Sequence, residues 1–167
     1  MKLFRTQFQK EMALAKERAK KIEKSLNEHE SMESMYEMAN DMDPDVRASV
    51  ARNDSLPVEL SYLLFKDSEP AVRANLAWNK GTPKEILTEL ARDKDEVVRW
   101  AVCDNESSPI DALLYLLNSE KEEEHLKKRI ERNPVYLQYL SDKEFDCVND
   151  YRDEIANEVD ILNSLNP

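Results

Sequence analysis

The sequence predicts an all-α fold, built as a helical-repeat solenoid. Three observations predict it. A 26-residue unit is written three times without a gap between residues 41 and 117. The first 27 residues carry an apolar stripe at helical spacing. The chain has one glycine, and its apolar residues fall on a strict period. A fixed period of 20–50 residues is the mark of an array in which each unit buries its apolar face on its neighbours.

The copies are DMDPDVRASVARNDSLPVELSYLLFK from Asp41, DSEPAVRANLAWNKGTPKEILTELAR from Asp67 and DKDEVVRWAVCDNESSPIDALLYLLN from Asp93. One register aligns Val46/Val72/Val98, Arg47/Arg73/Arg99, Asn53/Asn79/Asn105, Pro57/Pro83/Pro109 and Leu64/Leu90/Leu116. Each copy divides into a Pro/Asp-rich turn, a short helix ending at the Asn, and a second helix. That Asn is expected to end the helix because it tolerates the left-handed region. Ser55, Thr82 and Ser108 are expected as N-caps, with Pro83 and Pro109 at the first helical position. The second helices are placed at 57–66, 83–92 and 109–118, with Leu60/Ile86, Leu64/Leu90/Leu116 and Phe65/Ala91/Leu117 as their buried stripe.

Ahead of the repeats, residues 4–27 read as one long helix. Phe4, Phe8, Met12, Ala15, Ala19, Ile22 and Leu26 lie on one face. Three uses compete: a cap packed on the first repeat, a coiled-coil or homodimer helix through residues 4–26, or a basic amphipathic helix. Residues 31–40 read as a degenerate half-repeat with Met32, Met35, Met38 and Ala39 in core positions. Beyond the repeats an acidic run, Ser119–Glu124, is an insertion. A fourth copy resumes with Leu126, Lys127, Ile130 and Asn133, continued by Leu137 and Leu140. A weak fifth half follows at Tyr151-Arg152. The division is therefore 1–40 N-terminal helix and half-repeat, 41–142 repeats, and 143–167 C-terminal helical cap.

Charge is segregated. Residues 1–25 hold eight Lys/Arg against three Glu, net +5, within a total of −11, so the other 142 residues carry −16. An acidic body disfavours nucleic acid and anionic membrane, which need clustered cations, and favours a basic protein partner. Cys103 takes the slot of Ala51 and Ala77 and reads as a core thiol, and Cys147 forms no pattern with it. No secretory signal and no span of about 18 apolar residues is seen, so the expectation is a soluble, cytoplasmic protein.

The pattern V-R-x-x-V-A-x-N, followed by Ser/Thr-Pro and a Leu-rich helix, resembles the leucine-rich repeat variant family, similar in construction to HEAT-like repeats. The resemblance covers residues 41–140. It implies a right-handed superhelix of alternating α and 3₁₀ segments, and a binding scaffold rather than a reaction. The iron–sulfur cysteine cluster of some members does not carry over, because no cysteine precedes Cys103.

No catalytic residues, metal ligands or cofactor are predicted. His29 and His125 stand alone and no HExxH occurs. Candidate partner-binding residues are of two kinds. Trp78, Trp100, Tyr62 and Tyr115 break the repeat consensus, and such side chains are favoured hot spots. Arg47, Arg73 and Arg99 form a ladder that either ties units together through the repeat Asp residues or presents a basic stripe. The expected function is a non-catalytic adaptor or acidic inhibitor. The alternatives are nucleic-acid binding through the basic helix and the arginines, or an accessory subunit of an enzyme.

Overall fold

The computed structural model describes residues 2–27, 30–119 and 124–144, with residues 2–8 as backbone alone. All regular structure among them is helical: α1 Lys2–Ser25, α2 Met32–Ala39, α3 Pro44–Ala51, α4 Val58–Leu64, α5 Pro70–Trp78, α6 Lys84–Leu90, α7 Glu96–Asp104, α8 Ile110–Leu117 and α9 Glu124–Ile130, followed by helical residues 134–144 (α10). The readings of His29, the acidic residues 120–123, Cys147, the fifth half-repeat and the cap over residues 145–167 lie outside the described residues.

The first helix of each unit packs on the next: α1 on α3, α3 on α5, α5 on α7 and α7 on α9. The second helices lie beside them. The core is the periodic set read from the sequence. Val46, Val50, Val72, Leu76, Val98 and Val102 are fully buried on the first helices, and Leu60, Leu64, Ile86, Leu90 and Leu116 on the second. Leu126 and Ile130 extend the set into the fourth copy. Cys103 is buried in the slot of Ala51 and Ala77. The position of Ser61, Leu87 and Leu113 also faces inward, one more than the predicted stripe. Phe65 and Leu117 only half bury.

Several local expectations are corrected. The first segments are α-helices of eight or nine residues, not 3₁₀. Pro44 and Pro70 open two of them at N1, where a missing N–H costs nothing. Pro57, Pro83 and Pro109 sit one position earlier than predicted, as N-caps without side-chain acceptors. Ser55, Thr82 and Ser108 are not caps. The Thr82 and Ser108 hydroxyls donate back to Leu76 O and Val102 O, each at 2.6 Å. Met35 and Met38 are core, whereas Met32 is half exposed. Leu137 and Leu140, read as continuing the fourth copy's second helix, lie in helical residues 134–144 and are exposed, while Val135 and Tyr136 pack inward.

The repeating Asn does not end the helix by a left-handed turn, since no described residue has positive φ. Asn79 and Asn105 are extended, with φ −69° and −78°. Their side chains do a longer-range job. Asn79 Nδ2 donates to Ala51 O and Asn53 O at 3.0 and 2.8 Å. Asn105 repeats this on Ala77 O and Asn79 O, and Asn133 on Cys103 O and Asn105 O. Each Asn Oδ1 accepts the N–H two residues on, from Ser55, Gly81, Ser107 or Val135. The last carbonyls of a helix have no intrahelical donor; here the next unit's amide supplies one.

The ladder reveals a unit hidden in the sequence. Asn53 Nδ2 donates to Ser25 O and Asn27 O, so Asn27 stands one period before Asn53. The C-terminal end of α1 and α2 therefore form a further unit ahead of Asp41. In that register residues 2–17 of α1 precede the point where α3 and α5 begin.

Candidate partner-binding surface

The arginines form a second ladder, parallel to the first. Arg47 Nε and Nη2 donate to Asp67 Oδ2 and Oδ1 at 2.6 and 2.9 Å. Its Nη1 donates to Asp41 O and Met42 O. Arg73 makes the same bidentate pair with Asp93 and donates to Asp67 O and Ser68 O. Arg99 Nη1 reaches Asp93 O at 2.9 Å. Each Asp also accepts the N–H two residues on, from Asp43, Glu69 or Asp95. Lys21, one period before Arg47, takes the arginine's place on Asp41 at 2.8 Å.

The planar fork explains Arg at these positions, because only guanidinium meets both oxygens at once. Burial pushes the Asp67 carboxyl up, but Arg47 and the Glu69 N–H outweigh it and hold it below the ordinary carboxylate value. Asp93 is held low in the same way by Arg73 and the Asp95 N–H. The Arg73 and Asp93 side chains are 6 % and 9 % exposed. Arg47 and Arg73 thus join consecutive units and present no basic stripe.

The aromatic candidates divide. Trp100 packs against α9, its ring edge-on to His125 at 4.9 Å and under the Arg129 guanidinium at 5.5 Å. Trp78 is 46 % exposed at the C-terminal end of α5, beyond the position of Arg73 on that helix. Tyr62 and Tyr115 are 49 % and 45 % exposed. They line separate grooves at the Arg–Asp edge, one with Arg47 and Asp67, the other with Arg99 and Asp93. Arg92 covers the Tyr115 ring at 4.7 Å.

Sequence reading missed a feature on the same second helices. Glu59, Glu85 and Asp111 share one repeat position in the first turns of α4, α6 and α8, and all are exposed. One turn further along stand Tyr62, Leu63 and Tyr115. The signal was present as a column of the alignment, but second-helix exposure is needed to see that it is a surface. A third groove, of about 800 Å³, lies between α1 and the α2–α3 corner and is lined by Leu14, Ala15, Met42 and Val46 among others.

No group of three or more His, Cys, Asp or Glu side chains is arranged to hold a metal among the described residues. No described helix is long and apolar enough to cross a membrane. No protein-family model matches the chain, and neither the curated proteins nor the solved structures give a match.

Proposed function

We propose that this chain is a non-catalytic protein-binding solenoid of the leucine-rich-repeat-variant, HEAT-like kind, and that its acidic body takes a basic protein partner. The observation that carries the reading is the exposed carboxylate column Glu59, Glu85 and Asp111 beside Tyr62, Leu63 and Tyr115. The Asn and Arg ladders support it by fixing each unit on the next, so that surface residues one period apart form a regular row. First helices pack at about 8–10 Å, so Tyr62 and Tyr115, two units apart, fit anchors on one extended segment of about six residues. Carboxylates one per unit along that row attract Lys and Arg and speed encounter.

The test is an affinity capture from nuclease-treated lysate with mass spectrometry, using the full chain and a Tyr62→Ala/Tyr115→Ala variant. The expected result is one recurrent basic protein, lost from the variant at unchanged melting temperature and weakened by salt. Recovery of nucleic acid alone when nuclease is omitted would replace this reading with the basic-helix alternative.

A further inference from the structure

Among the described residues, the N-terminal part of α1 is the portion that the repeat does not account for. Sixteen of its residues precede the point where the first helices of the other units begin, about 24 Å of helix. Residues 9–20 are all exposed. The body holds α1 along one edge through Arg18 to Asp43 at 2.9 Å, Arg18 to Asp45, and Lys21 to Asp41. Ile22 alone of the described stripe packs on the core. Met12 and Leu26 stay 46 % and 48 % exposed, and Ala15 and Ala19 are exposed beside them.

We propose that this stripe is a self-association element, and that two copies pair through antiparallel α1 helices. The positions Phe8, Met12, Ala15, Ala19, Ile22 and Leu26 follow alternating spacings of four and three, the seam of a coiled coil. Side-chain size selects the orientation. In an antiparallel pair centred between residues 13 and 14, Ala15 opposes Met12 of the second copy and Ala19 opposes Phe8. Each small position faces a large one, as close packing requires. A parallel pair sets Ala on Ala at two successive layers and leaves them underfilled.

Charge selects the same orientation. The flanking positions of the antiparallel register bring no two like charges opposite each other. Parallel flanks are also opposite in sign, but that arrangement would place the two acidic bodies side by side, and self-repulsion opposes it. The antiparallel pair puts the bodies at opposite ends and lays each basic N-terminal segment toward the other's acidic body. The proposal does not depend on the basic-partner reading.

Sedimentation of the full chain at tens of micromolar is the first arm. A dimer is expected, and Ala19→Glu should weaken it by about tenfold or more, with the thermal unfolding of the repeats unchanged. The second arm uses single cysteines in a Cys103→Ala, Cys147→Ser background. In the antiparallel register two Met12→Cys sites lie about 4.5 Å apart along the axis, and two Ala19→Cys sites about 16 Å apart. Disulfide dimers should form from the first and not from the second. A monomeric parent, a dimer insensitive to Ala19→Glu, or equal cross-linking at both sites would overturn the proposal.

Discussion

Replacing Asn79 by Ala tests whether the amide ladder is a source of stability. Asn79 is 6 % exposed and makes three hydrogen bonds, two of them to the preceding unit, at Ala51 O and Asn53 O, and one accepted locally from Gly81 N. Asn53 O keeps a second donor, Leu56 N at 3.0 Å. Gly81 is exposed, so its N–H can turn to water. The main loss therefore falls on the Ala51 carbonyl, at the buried end of α3. A buried carbonyl left without a donor costs about 1–3 kcal/mol, and a net hydrogen bond contributes about 1 kcal/mol. The expected destabilisation is about 2–3 kcal/mol, or about 4–12 °C in melting temperature for a chain of this size. Asn79→Asp should be worse at neutral pH, since a carboxylate would face two carbonyl oxygens. Its folded pKa would be raised, so its deficit should shrink as the pH falls and the acid becomes a donor. The control is Asn75→Ala. Asn75 lies on the same helix and bonds only Ala71 O one turn back, and the change should cost about 0.5 kcal/mol or less. Urea unfolding followed by circular dichroism reads all three. If Asn79→Ala matched Asn75→Ala, the ladder would be decoration rather than support.

Arg73→Ala should destabilise by about 3–5 kcal/mol, because it strands a nearly buried carboxylate, and Arg73→Lys should recover only part of this, since an ammonium cannot bind both oxygens of Asp93; thermal unfolding measures both. Asp67 and Asp93 are held below the ordinary carboxylate value, so their contribution is complete above about pH 3.9 and is lost as the pH falls through the depressed values. Acid unfolding should therefore shift to higher pH when a partner is removed, as in Arg47→Ala, with the difference from the parent narrowing once Asp67 is protonated. Trp78→Ala removes a half-exposed side chain and should change stability by about 1 kcal/mol or less, and a melting temperature lowered as much as by Arg73→Ala would mean that the indole is core.

The sequence by itself determined the helical class, the 26-residue register and almost all of the core. These follow from periodic burial: a Val or Leu recurring at 3.6-residue spacing within a repeat has only one face to turn inward. It also marked Arg47, Arg73 and Arg99 and the aromatic outliers. Tertiary structure decided what those residues do. Asn79 reads locally as a helix terminator, and only stacking brings the carbonyls of Ala51 and Asn53 to its amide. Arg47 and Arg73 admitted two uses, and the position of the next unit's Asp chose the structural one. Lys21 and Asn27 carry repeat positions that the surrounding residues disguise, because a terminal unit faces water and is released from the apolar consensus; the hydrogen bonds at those two places betray it. Trp78 and Trp100 look alike as departures from the repeat consensus, yet one is half exposed at a helix end and the other lies against α9. The difference is their place along the helix relative to the neighbouring unit, a distance in space that no spacing in the chain records.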